Sequence, residues 1–404
     1  MTPLSITGGK VLRPGVAEPE AGAVHIADGR FVAAVPADRE TLDAKGLIVA
    51  PGIVDLGVFA TDKPAFHFGG ITRAALMPDR APPLDDPGAV RSATRSGKPD
   101  FWVHPLGAAT KRLAGAELAE IALMKEAGAR GVATGRGWIA DSGVMLRVMG
   151  YAAALDLPVF VHSEDSGLTG NAVATGGETA TRLGLPQAPA AAEALAIARD
   201  LMLAEETGAR VHFRQVTTAR GLDLIRAAKD RGLNVTCGIT PAHLFLSDIA
   251  VTGFRSFARL SPPLRSEGDR QACLAAVADG TIDAISSGHD PRGPEDKRLP
   301  FADAAPGMAG AETLLAMALG VVRDGQVTTG RLFELLSANP ARILGVEAGR
   351  IEPGLEADLI LVDPDAPWQV DSGKMAAQAG NTPFDGLPVQ GRVRRLIKGG
   401  VVIK

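Results

Sequence analysis

Hydrophobic and polar positions along this chain fall into two textures. Before residue 50 the apolar positions come in short β-prone runs: Leu4 to Ile6, Lys10 to Leu12, Val24 to Ile26 and Phe31 to Val35. Gly8-Gly9, Pro14-Gly15 and Asp28-Gly29 separate them. An Asp-Gly pair between two such runs signals a hairpin, because a two-residue type I′ turn needs positive φ at both central positions. The C-terminal end repeats the texture. Asp358 to Val362 reads as a buried strand, and Val393 to Ile397 is expected to pair with Val401 to Ile403 across Gly399-Gly400. Two strand-rich ends around a different middle predict one β module assembled from both termini.

The middle alternates short apolar runs with longer stretches rich in Ala and Leu. Leu157 to Val161, Arg210 to Phe213, Asn234 to Thr236 and Thr281 to Ile285 read as strands; Ala116 to Glu126, Ser142 to Leu155, Ala190 to Glu206 and Ala219 to Arg231 read as helices. Thr218 is a good N-cap for the helix that ends before Gly232. Asn339-Pro340 is expected to open another capped helix that closes near Gly345. Strand–helix alternation over roughly 300 residues predicts an α/β fold with a parallel sheet, and at that length a (β/α)8 TIM-type barrel. The expected division is a composite β-sandwich module from 1–50 and 345–404, with the barrel over 51–344.

Composition changes this picture little. Of 404 residues, 42 are Lys or Arg and 46 Asp or Glu, a net charge of -4, which argues against a nucleic-acid partner recruited by a general basic surface. Aromatics are 4% with a single Tyr, so the core is expected to be Ala, Val, Leu and Ile. Cys237 and Cys273 form no CxxC and no disulfide framework, which fits reduced thiols in a cytoplasmic protein. The N-terminal MTPLSITGGKVLRPG lacks an apolar run of signal-peptide length, and nowhere do 18 uncharged apolar residues follow one another. A soluble protein with no membrane partner is expected.

Barrels of this type place their chemistry at the C-terminal ends of the strands. The residues to interrogate are therefore Asp55, His162-Ser163-Glu164-Asp165, Gln215 with Thr217-Thr218, Thr240 to His243, and Ser286 to Asp290. Their surroundings resemble the dihydroorotase branch of the amidohydrolase superfamily almost end to end. The matching segments are Ala50 to Leu56, Gly69 to Thr72 with Met77-Pro78-Asp79, Pro82 to Asp85, and Val161 to Asp165, the family's His-x-Glu-Asp. They continue through Asn234 to Leu244, Ser261 to Arg265, Lys297 to Phe301, Gly310 to Thr313, Gly349 to Gly354, Ala357 to Leu359 and Asn381 to Gly386.

The resemblance implies a zinc centre that acidifies a bound water and polarises an amide carbonyl. Its ligands would be a His-x-His pair, an acidic residue or modified lysine and two further histidines, with an aspartate as proton shuttle. At the corresponding positions this chain carries other residues. Gly57-Val58-Phe59 stands for His-x-His, Thr134-Gly135 for Asp-Asp, and Gln215, three residues after His212, for the second His of His-x-x-His. Gly288 stands for the shuttle, Ala60-Thr61 for the substrate-binding Arg, and Asp79 for the Asn of Met-Pro-Asn; about a dozen residues of the following loop are missing. His162 alone is retained as a ligand-type residue. Catalytic zinc wants three protein ligands, so no metal site and no cofactor are expected.

His162 is expected to be a hydrogen-bonded histidine at a strand end, and Asp290 with His289 and Arg292 a structural ion pair. Glu164 and Asp165 fit a loop or helix start, and His212 and His243 fit packing. His25 and His104 are expected to be structural or exposed; His67 stands out in no way. Gly69-Gly70 and Thr175-Gly176-Gly177 are turn glycines.

Two functions result. The first is a catalytically inactive dihydroorotase homologue in pyrimidine biosynthesis, a pseudoenzyme acting as assembly partner of the aspartate carbamoyltransferase catalytic subunit in a homo- or hetero-oligomer. The alternative is a metal-dependent cyclic amidohydrolase, interconverting carbamoyl-aspartate and dihydroorotate at a degenerate or relocated zinc site.

Overall fold

The computed structural model describes residues 2–35 and 37–404; Met1 and Pro36, both within the expected first segment of the β module, lie outside the described residues. Eight parallel strand segments succeed one another around a barrel: Ile53–Val58, Ile71–Leu76, Trp102–Pro105 continued by Gly107–Ala108, Val132–Ala133, Val159–Val161, Val211–Phe213, Val235–Ile239 and Ala284–Ile285. The Leu106 N–H donates to Leu76 O at 2.9 Å and the Gly107 N–H to Gly131 O at 2.9 Å, so this third segment joins the two halves of the sheet. The Phe59 N–H donates to His289 O at 2.8 Å, linking the first strand to the eighth just beyond their C-terminal ends.

Barrel-lining side chains are Val54, Leu56, Ala75, Met77, Leu106, Ala133, Phe160 and Ala284. They pack with Ala341, Ile343 and Leu344 of the helix Asn339–Leu344, which belongs to the same apolar cluster. That helix departs from the expected one. Asn339 does not cap it: Ala338 and Asn339 are both helical, and the chain arrives through a π-helical turn, Glu334–Ala338. The Asn339 side chain instead donates to Asp283 O at 3.0 Å. Gly345 closes the helix at φ 64° as expected.

Thr218 caps the helix Ala219–Asp230, accepting from the Gly221 N–H at 3.1 Å. The helices Ser142–Ala154 and Ala191–Thr207 match their patterns, whereas the stretch from Ala116 becomes helical only over Ile121–Glu126. The core is not purely aliphatic. Phe66, Phe101, Phe160 and Phe213 are fully buried, and Phe66 meets Phe101 edge to face at 5.0 Å.

Both ends of the chain build two further sheets. One has the order Arg30–Val32, Val24–Ala27, Leu4–Thr7, Glu40–Asp43. The other runs Val401–Val402, Pro388–Lys398, Leu359–Gln369, Ile48–Pro51, Lys10–Val11, Glu20–Ala21. Ile6, Ile26, Phe31, Val49, Leu359, Leu361 and Ile397 share the apolar layer to which both contribute. Asp28 and Gly29 take φ 50° and 75°, and Gly399 and Gly400 take 55° and 80°, the positive pair that a type I′ turn requires. The last hairpin is short, pairing Ile397 with Val402 and Lys398 with Val401. Val393 to Ile397 pairs mainly with Leu359 to Val362.

An ion cluster joins these sheets to the barrel. Buried Arg73, on the second barrel strand, reaches Asp358 at 2.8 Å and Glu356 at 2.5 Å. Lys398 binds the same two carboxylates at 2.8 and 2.5 Å and lies 3.9 Å over the Trp102 ring. Among the described residues no helix is long and apolar enough to cross a membrane.

Candidate functional site

The polar residues singled out in the sequence converge at the C-terminal mouth of the barrel, where they form a chain of ion pairs. Buried Glu193, on the helix Ala191–Thr207, accepts from the Thr217 N–H at 2.9 Å, the Thr218 N–H at 2.8 Å and the Thr218 hydroxyl at 2.7 Å. The Thr217 hydroxyl also donates to it. Arg265 lies 3.3 Å from Glu193 and 2.9 Å from Glu164, and donates to the Thr217 and Thr175 hydroxyls at 2.9 Å each. Burial would raise the Glu164 carboxyl, but His162 and Arg265 hold it down at about 2.

His162 continues the chain. Its Nε2 lies 3.4 Å from Glu164 Oε2, and its Nδ1 lies 3.2 Å from Arg214 Nη2. A guanidinium can only donate, so Nδ1 is the acceptor and the ring proton sits on Nε2, facing Glu164. Both ring nitrogens thereby face a partner: Nδ1, which carries the lone pair, accepts from Arg214, and the Nε2 proton points to Glu164.

Phe59 fills the next position. Its ring is flanked by two guanidinium carbons, Arg136 at 3.8 Å and Arg214 at 5.1 Å. Arg136 binds Asp290 at 2.5 Å, and Asp290 also holds Arg292 at 3.2 Å. The structural ion pair expected at Asp290 and Arg292 is present, with Arg136 as the partner that sequence reading missed. His289 is not in it: the ring accepts from the Ala311 N–H at 3.3 Å and lies 3.4 Å from Asp62.

Several other positions are held by local contacts, although Asp55 Oδ2, Asp79 Oδ2 and Gln215 Oε1 are buried without partners. Thr134 Oγ1 accepts from the His162 N–H at 3.1 Å. Gly135 has φ 79°, and a Cβ there would lie 2.7 Å from Asp79 Oδ1, which accepts the Arg136 N–H at 2.8 Å. Asp79 and Gly135 are therefore a matched pair. A Cβ on Gly57 would meet Ser286 Oγ at 3.3 Å. Gly288 takes φ 59°, and a Cβ there would meet Thr240 Cγ2 at 3.1 Å and Met308 Cε at 3.3 Å. Asp55, expected just beyond its strand, lies inside it, because the strand Ile53–Val58 continues for three more residues; fully buried, its Oδ1 accepts from the Ser287 N–H at 3.1 Å and the Gly57 N–H at 3.3 Å. Asp165 caps the short helix Ser166–Thr169.

His212 and His243 are packing residues. His212 shares a 2.9 Å hydrogen bond with Thr236, and burial lowers its pKa to about 3. His243 binds Thr240 at 2.8 Å and Pro262 O at 3.1 Å, and burial lowers its pKa to about 4. His25 bonds Ser5 at 2.9 Å within the terminal sheets.

These residues do not fit a zinc centre. Among the described residues no group of three His, Cys, Asp or Glu is arranged to hold a metal ion. The mouth narrows to a cavity of about 30 Å³ lined by Phe59, Arg136, Arg214, Gln215, Gly288 and Met308 among others. A larger cavity of about 750 Å³ lies elsewhere, bordered by Arg13, Arg331 and Arg350; Arg331 is paired with Glu334 at 2.9 Å and Arg350 with Glu347 at 3.4 Å. Arg136, Arg214 and Glu193 escaped sequence reading because none belongs to a motif. The one signal was charge: Asp79 in place of an amide asks for a new cation.

A barrel of parallel strands whose polar residues gather at the C-terminal mouth, with sheets from both termini at its side, is an amidohydrolase-type architecture. Residues 77–403 match the amidohydrolase family, and the chain belongs to it. It is 37% identical over 419 residues to a dihydroorotase of Geobacter sp. (strain M21), covering 99% of each chain. With a dihydroorotase of Pelotomaculum thermopropionicum the identity is 39%, over 99% of this chain and 98% of the other. A dihydroorotase-like protein of Pseudomonas aeruginosa is 37% identical over 98% of both. In structure the chain superposes on the L-hydantoinase (dihydropyrimidinase) of Arthrobacter aurescens with a TM-score of 0.86 at 26% identity, covering 100% of this chain and 96% of that one.

Proposed function

We propose that the chain is a catalytically inactive dihydroorotase homologue, and that it serves as an assembly partner of the aspartate carbamoyltransferase catalytic subunit in the cytoplasm. The observation that carries the first half is the engagement of both His162 nitrogens by Glu164 and Arg214, beside a Phe59 ring flanked by guanidinium groups. Without an activated water the nucleophile keeps the high pKa of bulk water instead of one of about 7. Loss of a proton shuttle at position 288 removes a further factor of roughly 10² to 10⁴. The assembly half rests on the resemblance and on a scaffold kept whole around an altered centre, which leaves the surface as the working part.

A second reading has its own support. Relatives named dihydroorotase share 37–39% identity across nearly the whole chain, which favours an active cyclic amidohydrolase interconverting carbamoyl-aspartate and dihydroorotate. Dihydroorotate ring opening by the purified chain, with and without added zinc, separates the two. The inactive reading expects no turnover above buffer in either condition, and comigration with aspartate carbamoyltransferase from the same source on a sizing column. Zinc-dependent turnover that His162→Ala abolishes would establish the second reading, and clean separation from the transcarbamoylase would remove the assembly role.

A further inference from the structure

Of the arginines at the barrel mouth, Arg136, Arg265 and Arg292 each hold a carboxylate within 3.2 Å. Arg214 does not. It is 4% exposed, among the described residues no Asp or Glu lies within ion-pair distance of it, and its hydrogen bond is the one from Nη2 to His162. Its Nε is buried without a partner. Of the carboxylates around it, Asp290 is bound to Arg136 and Arg292 and Glu164 to Arg265, while Asp79 accepts the Arg136 N–H through Oδ1, keeps a buried Oδ2 without a partner and lies beyond ion-pair distance of Arg214.

Next to it, the Gln215 amide is 7% exposed; its Oε1 is buried without a partner, and its Nε2 donates no hydrogen bond among the described residues. Which end of an amide carries the nitrogen is an assignment, so either end can present the N–H₂. Arg214 and Gln215 line the same cavity as Gly288, and a Cβ on Gly288 would come within 3.9 Å of Gln215 Nε2. Gly288 therefore forms one wall of the cavity beside that amide, close to Thr240 and Met308, and a side chain at 288 would reach into the same cavity only by shifting those two.

A buried guanidinium with an unmet N–H is costly, and planar carboxylate-type anions match its fork. The cavity of about 30 Å³ has room for two or three water-sized groups, which admits an anion of three or four heavy atoms. We propose that Arg214 and Gln215 form a binding site for one small planar oxyanion of formate or bicarbonate size, seated against Gly288. The proposal rests on the reading above that the centre carries no metal.

The test uses the full chain, freed of metal by chelation and dialysis. Thermal unfolding is followed against sodium formate, and separately sodium bicarbonate, replacing sodium chloride at constant ionic strength. The expected result is a saturable rise in Tm of a few degrees. Arg214→Gln should lose it by removing the fork, and Gly288→Asp should lose it by supplying a tethered carboxylate. If Arg214→Gln does not fold, line broadening of ¹³C-formate by the wild-type chain, compared with Gly288→Asp, decides the matter. No response of the wild-type chain to either anion, or an undiminished response in Gly288→Asp, overturns the site. Stoichiometric stabilisation by zinc that depends on His162 would instead overturn the metal-free reading, so the two failures are distinct.

Discussion

Glu193 shows how the barrel mouth is held at the scale of single residues. Its carboxylate receives four donors from Thr217 and Thr218 and faces Arg265, all out of contact with water. Removing one member of such a group leaves a buried charge and several unmet donors, which costs about 3–5 kcal/mol. Glu193→Ala is accordingly expected to lower unfolding stability by that amount in a denaturant titration; a change below about 1 kcal/mol would mean that water replaces the carboxylate freely. How far such residues were legible in the sequence depended on motifs. His162, Gln215 and Gly288 could be found because their neighbours resemble a family pattern, whereas Arg214 and Arg136 lie between motif positions and acquire meaning only when distant loops meet.

At the scale of elements, the two glycine turns of the terminal sheets are coupled. Gly29 and Gly399-Gly400 pack so closely that a Cβ on Gly29 would sit 2.9 Å from Gly399 O, and one on Gly400 would sit 3.1 Å from Gly29 Cα. Gly29 also has φ 75°, a region that costs other L-residues about 1–2 kcal/mol. Gly29→Ala therefore combines strain with a backbone collision. It should destabilise the chain by about 2–3 kcal/mol, read as a drop in Tm, while Gly15→Ala, at φ 76° with open space around it, should cost the strain alone. Both turns were readable beforehand from Asp-Gly and Gly-Gly, since the requirement for positive φ is local. Their contact was not, because nothing within either hairpin encodes the other. The Asn339 helix failed for a related reason: its local N-cap signal gave way to a π-turn that continues the preceding helix and to a bond with Asp283.

The whole molecule carries a pH dependence set by buried imidazoles. Burial lowers His104 and His212 to about 3 and His243 to about 4, from an ordinary value of 6.5. Once unfolded these rings take up protons near pH 6.5, while in the folded chain they stay neutral to about pH 4 or below. The stability these rings permit is thus complete above about pH 6.5 and falls with decreasing pH, each ring contributing a slope of up to about 1.4 kcal/mol per pH unit. Glu164, held at about 2 against 4.5, adds a loss below about pH 4.5. Asp200, raised by burial to about 6, acts in the opposite direction, as do Asp55 and Glu312, which burial also raises, while His67, lowered by burial, acts with the three rings. Denaturant titrations at pH 7, 6 and 5 should show steadily falling stability; a flat profile would mean that the rings are hydrated. The arrangement of the terminal sheets has another consequence, in the time over which the chain is made. Ile48–Pro51 lies between Lys10–Val11 and Leu359–Val362, so a strand from the start of synthesis waits for one near its end. At about 5–20 residues per second the roughly 300 intervening residues take on the order of 15–60 s. Through that interval the early strands stand with an open edge on the ribosome, and nascent chains stalled before Leu359 are where self-association and chaperone capture should concentrate.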